Sequence, residues 1–136
     1  CVLTNVVNPR SEISRKEVFE PITIKRGATV GANATILAGV TVGCYAFIGA
    51  GATVTDDVCD YALMKGVPAK KLGWMSRHGF KLPKPDDDGI MTCPDSGFRY
   101  RLNADGSVKC LDLAEYEALS EDKACYKHKY GYYRNK

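Results

Sequence analysis

Ile24, Val30, Ile36, Val42, Ile48 and Val54 recur at a strict spacing of six, and all six are β-branched. A period of six matches neither the 3.6-residue repeat of a helix nor the two-residue alternation of a simple strand. It calls for short strands joined by regular corners. Four residues after each aliphatic stand Ala28, Ala34, Val40, Ala46, Ala52 and Val58, small or β-branched as a tightly stacked inner position requires. Three residues after it stand Gly27, Asn33, Gly39, Tyr45, Gly51 and Asp57. Five of these are Gly, Asn or Asp, the types that tolerate left-handed backbone, so each sixth residue is expected to turn the chain. Three units close a triangular coil of about 18 residues, and stacked coils form an all-β parallel β-helix around a column of aliphatic side chains.

Only about two regular coils fit between Ile24 and Cys59, and a solenoid needs about three or more repeats. The chain opens at Cys1 as if inside an element, so further coils are expected upstream, or neighbours in an oligomer must replace them. Between Asn8 and Ile22 the hexad fails: "NPRSEISRKEVFEP" is polar and bounded by Pro9 and Pro21. Residues 9–22 read as a loop from a coil corner carrying Arg10, Arg15 and Lys16. Long loops on compact scaffolds are often functional, and a tolerated insertion is the alternative.

The 136 residues suit one domain with a small appendage. With no apolar run long enough to span a bilayer and no secretory leader, the expectation is a soluble cytoplasmic protein without membrane insertion. The six cysteines form no CxxC and read as reduced thiols. Of the formal net charge of +3, the excess lies in residues 1–79, where Lys65, Lys70, Lys71 and Arg77 crowd together. That is too little for nucleic acid and enough for a small anionic ligand.

The coils are followed by "YALMKGVPAKKLGW", residues 61–74. Repeat and segment together resemble the hexapeptide-repeat acyltransferases, which implies a left-handed parallel β-helix, a homotrimer with sites between subunits, and acetyl-CoA as co-substrate. The resemblance assigns residues 61–79 to the coenzyme site. Lys70 and Lys71 would meet the coenzyme phosphates, or be solvated beyond a terminating turn. A pantetheine arm would lie along small residues, for which Gly39, Ala50 and Gly51 are candidates.

"TNVVNPR" (residues 4–10), the loop, the coils, "GVPAKKLGW" and "SRHG" (residues 76–79) are further similar, over residues 2–79, to bacterial UDP-2-acetamido-3-amino-2,3-dideoxyglucuronate N-acetyltransferases of surface-polysaccharide (lipopolysaccharide) synthesis. That likeness implies transfer of acetyl to the 3-amino group of a UDP-linked amino sugar. Amine attack on a thioester needs a proton acceptor and oxyanion donors. The only histidines, His78 and His128, lie beyond the coils. The resemblance makes Asn5 the residue that binds and orients the amine, which points to positioning rather than strong base catalysis; a corner role is the alternative. Asn8 and Arg10 are the substrate-binding candidates, Arg10 for a carboxylate or diphosphate. His78 either reaches the coenzyme or caps local backbone.

Other readings stay open. A hexapeptide acyltransferase for another amino sugar would share these features, whereas a hydroxyl acceptor would demand a stronger base. A zinc hydratase of the γ-carbonic-anhydrase type needs three histidine ligands, which the coils lack. A non-catalytic solenoid scaffold would keep the hexads without binding acetyl-CoA.

From Phe80 the pattern changes. Residues 80–90 read as a linker and 91–136 as a small α+β extension. "GFRYRLNADGSVKCLDL" predicts a β-hairpin turning at Asp105-Gly106, and Asp112 with Glu115 has the form of a capping box opening a helix. Cys93, Cys110, Cys125 and His128 make a candidate zinc set without the paired short intervals of a strong signal, so no metal is expected. The extension is expected to cap the solenoid's open end.

Overall fold

A computed structural model describes residues 1–120, and the chain divides into two units, Cys1–Gly73 and Trp74–Lys136. In the first unit each hexad contributes one two-residue strand. These are β2 (Thr23–Ile24), β3 (Thr29–Val30), β4 (Thr35–Ile36), β5 (Thr41–Val42), β6 (Phe47–Ile48) and β7 (Thr53–Val54), preceded by β1 (Val2–Leu3). Two longer strands, β8 (Ala62–Lys65) and β9 (Lys70–Trp74), follow. The strands stack in three sheets, β1-β4-β7, β2-β5 and β3-β6-β8-β9, one for each side of a triangular coil. The pairings of β2 with β5, β3 with β6 and β4 with β7 are parallel. The fold is the parallel β-helix that the hexads require.

Registers count the residues per coil. Thr23 pairs with Thr41, Thr29 with Phe47 and Thr35 with Thr53, each an offset of 18. Ile36, Val42, Ile48 and Val54 are fully buried in the column, as are Ala34 and Ala52, whereas Ile24 remains 43% exposed. The difference follows the stacking: β2 and β7 each have one strand neighbour, but Thr53 of β7 is also covered by its bonds to Gly66 and Ala69, whereas among the described residues no strand stacks on β2 from its N-terminal side. Each fully buried aliphatic contributes about 1.5–3 kcal/mol of transfer free energy, which the two-residue strands could not supply through backbone bonds alone.

The corners follow the expected phase from Gly27 to Gly51, with positive φ at Gly27, Asn33, Gly39, Tyr45 and Gly51. Asp57 departs from it. The last coil is shortened to an offset of 16, with Phe47 opposite Leu63, Ile48 opposite Met64 and Val42 opposite Val58. Val58 therefore joins the aliphatic column rather than the small-residue one, and the left-handed corner falls at Tyr61 (φ 60°). Aspartates take up the backbone groups this irregular coil leaves. Asp57 Oδ1 accepts the Thr41 N–H at 2.7 Å, and Asp60 Oδ1 accepts the Cys44 N–H at 2.8 Å.

The second unit contains an antiparallel sheet of β10 (Ile90–Thr92), β11 (Arg99–Leu102) and β12 (Val108–Cys110), in that order. The expected hairpin is β11–β12. Its turn is fixed by Asp105, whose Oδ1 accepts from the Ser107 hydroxyl (2.6 Å) and amide (2.9 Å), bonds that hold the carboxyl below its ordinary range. The expected helix at Asp112 is absent among the described residues. Asp112 is not a cap; it accepts the Arg99 N–H at 2.6 Å and pairs with the Arg99 guanidinium at 2.6 Å, closing off the hairpin instead.

Residues 80–90 begin packed, turn at their end and are exposed from Pro83 to Asp88. Phe80 and Leu82 are buried, Met75 bridges Lys81, and Asp86 Oδ1 accepts the amides of Asp88 and Ile90. Cys93 and Cys110 lie near β10 and on β12, on either side of β11. That separates their backbones by two strand spacings, roughly 10 Å, too far for a shared disulfide and poorly suited to one tetrahedral metal site. The Cys93 thiol is buried and donates to Ser76 Oγ at 3.2 Å. Cys125 and His128 lie outside the described residues.

Candidate functional site

The corners of the β-helix place the candidate residues. One corner carries Asn33 and, a coil later, Ala50 and Gly51, with the Gly51 amide donating to Ala32 O at 2.9 Å. The "GVPA" turn, residues 66–69, lies along the same coil. Thr53 N–H donates to Gly66 O at 3.0 Å, and Ala69 N–H donates to Thr53 O at 2.7 Å. These two hydrogen bonds to one residue fix the turn, and the buried Ala69 side chain anchors it. Lys70 and Lys71 follow immediately with exposed side chains at the start of β9. Ala50, Gly51 and Lys70 are thus brought to one corner region, a small-residue surface beside a pair of cations.

The next corner carries the second group. The chain leaves the coil after β1 and re-enters at β2. Val2 pairs with Thr35 at an offset of 33 rather than 18, so this coil holds fifteen extra residues. Thr4 stays in contact with the coil, its Oγ1 accepting the Ala38 N–H at 2.9 Å. Asn5, the first exposed residue after it, accepts the Glu20 N–H on its backbone oxygen at 3.0 Å. The two ends of the insertion therefore meet at the Ala38-Gly39 corner. Gly39, at φ 81°, has the Glu20 carboxylate over it: a Cβ built on Gly39 would stand 2.5 Å from Glu20 Oε2. Gly39 consequently belongs with Asn5, not with Ala50 and Gly51.

Asn8 and Arg10 are exposed on the insertion, where Arg10 bridges Ile13 in a small turn. The insertion is less polar on its surface than its sequence suggests, since Val7, Ile13, Val18 and Phe19 are all more than half exposed. His78 belongs to the second unit. Its ring packs edge-on against Phe98 with centroids 5.1 Å apart, and the neighbouring Arg77 donates to the carbonyls of Ala114 (3.2 Å) and Glu117 (2.7 Å). Glu20 is a residue that the hexads do not single out and that the fold brings to this corner. The insertion itself is the signal, because a loop that leaves and re-enters one corner must bring its last residues beside its first.

Residues 21–56 match the family described as bacterial transferase hexapeptide (six repeats). Over 95 residues the chain is 43% identical to the dTDP-3-amino-3,6-dideoxy-alpha-D-galactopyranose 3-N-acetyltransferase of Aneurinibacillus thermoaerophilus, a match covering 70% of this chain and 47% of that protein. The chain thus spans about half the length of this curated relative. Among solved structures, a hexapeptide-repeat-containing acetyltransferase of Vibrio cholerae O1 biovar eltor, complexed with acetyl coenzyme A, is 26% identical with a TM-score of 0.47, over 54% of this chain and 42% of that one. The serine acetyltransferase of Neisseria gonorrhoeae is 30% identical with a TM-score of 0.43, over 54% of this chain and 26% of that one. Among the described residues, no helix is long and apolar enough to cross a membrane.

Proposed function

We propose that this hexapeptide-repeat protein transfers acetyl from acetyl-CoA to the 3-amino group of a nucleotide-linked amino sugar, of the UDP-2-acetamido-3-amino-2,3-dideoxyglucuronate type. The observation that carries the reading is the 43% identity over 95 residues to an enzyme whose name specifies 3-N-acetyl transfer to a dTDP-linked 3-amino sugar. The fixed "GVPA" turn supports it, because it sets Lys70 and Lys71 where phosphate oxygens can be met beside the Ala50-Gly51 surface.

In this reading Asn5 orients the acceptor amine against the thioester carbonyl, and Asn8 and Arg10 hold the sugar nucleotide. A guanidinium suits a carboxylate bidentately, so Arg10 favours a uronate acceptor. The named relative favours a second reading, in which the acceptor is a 6-deoxy sugar without a carboxylate. The protein acts as a homotrimer in the cytoplasm, neighbouring subunits completing each site.

The test is steady-state turnover with the two 3-amino acceptors, one carboxylated and one 6-deoxy, each on UDP and on dTDP. The reading expects the highest kcat/KM for the carboxylated UDP sugar. A preference for the dTDP 6-deoxy acceptor overturns the uronate assignment and leaves N-acetyl transfer standing.

A further inference from the structure

We propose that Glu20 is a catalytic residue of this acetyl transfer, its carboxylate taking the proton that the acceptor amine must lose. The proposal rests on the acetyltransferase reading above and adds the base that the coils do not supply. Amine acetylation releases a proton, and an ammonium has no lone pair with which to attack. Neither histidine lies within residues 1–73.

The acidic groups of the β-helix differ in what they do. Asp57 and Asp60 accept backbone amides of the preceding coil, and Asp56 accepts the Thr55 hydroxyl at 2.6 Å. Glu20 is held differently. Its amide is bonded to the Asn5 carbonyl at 3.0 Å, which fixes its backbone at the corner of the proposed amine-binding residue. Its carboxylate lies over Gly39, is exposed, and has no hydrogen-bond or ion-pair partner among the described residues. The glycine makes this placement possible, since any side chain at position 39 would occupy the space of the carboxylate.

A free carboxylate at that corner attracts an ammonium by a charge–charge interaction that a neutral hydroxyl lacks, so its binding favours amines over alcohols. The step balances as follows: the ammonium gives one proton to the Glu20 carboxylate, and the nitrogen lone pair forms the bond to the acetyl carbonyl carbon. The carbon–sulfur bond breaks, the leaving thiolate takes the second nitrogen proton, and Glu20 returns its proton to water.

The experiment compares wild type, Glu20→Gln and Glu20→Asp by thiol release from acetyl-CoA with the 3-amino nucleotide sugar, alongside thermal shift with acetyl-CoA. Glu20→Gln keeps size and polarity and removes the base, so kcat is expected to fall about 10²-fold or more while the coenzyme-induced shift and the KM for acetyl-CoA stay unchanged. Glu20→Asp is expected to recover part of the loss. A kcat for Glu20→Gln within twofold of wild type overturns the role of Glu20 alone. Wild-type protein that releases no thiol with any 3-amino sugar overturns the acetyltransferase reading, and the Glu20 proposal with it.

Discussion

Tyr45 and Tyr61 occupy the same corner of successive coils and stack with ring centroids 5.3 Å apart and an interplanar angle of 21°. Both have left-handed backbone, at φ 55° and 60°. Below them at the same corner is Gly27, at φ 68°, on whose face the Tyr45 ring lies so closely that a Cβ there would overlap it. The three residues form a column that seals one edge of the β-helix.

Gly27→Ala is therefore expected to destabilise the first unit by about 2–4 kcal/mol, combining left-handed strain with overpacking against the ring. Denaturant unfolding measures it. A loss under 0.5 kcal/mol would show that the ring swings away freely.

Ile36→Ala tests the aliphatic column. The side chain is fully buried, and truncation is expected to cost about 2–5 kcal/mol, whereas Ile24→Ala at the half-exposed end of the column should cost much less. Equal losses at the two positions would contradict the stacking described for β2 and β4.

The column was legible because β-branched residues at a fixed spacing can be buried together only by a coil. Other features were not. Tyr45 is a left-handed corner despite a residue type that resists it, because the ring finds Gly27 and Tyr61 to pack on. Val58 stands in the aliphatic column, against its hexad phase, because its coil is shortened by two residues, which nothing in the hexads announces. Asp112 has the local chemistry of a helix cap, but Arg99 claims its carboxylate, a contact thirteen residues away that no local pattern contains. Asn5 and the "GVPA" turn carry a motif likeness that a sequence displays, whereas the position of the Glu20 carboxylate depends on the insertion closing on its own corner, which no local pattern contains.

Lys70→Ala combined with Lys71→Ala is expected to raise the KM for acetyl-CoA about tenfold or more with little change for the sugar nucleotide, since the account assigns both cations to the coenzyme phosphates. An unchanged KM in coenzyme titrations would return both lysines to solvent.

Asn5→Ala is expected to lower kcat about 10²-fold through misplacement of the amine, leaving the oligomeric state intact. Turnover near that of wild type, with sizing by light scattering unchanged, would remove Asn5 from the site.

Arg10→Ala distinguishes the acceptors. The kcat/KM for the carboxylated sugar should fall about 10²-fold and that for the 6-deoxy sugar far less, because only the former offers the guanidinium a carboxylate. An equal fall for both acceptors would assign Arg10 to the diphosphate they share.

Thiol release from acetyl-CoA, followed with the 3-amino nucleotide sugar and with its 3-hydroxyl parent, tests the central claim most directly. The account predicts release with the amine and none above background with the hydroxyl. Release with the hydroxyl parent, or with neither acceptor while the protein still binds acetyl-CoA, would contradict it.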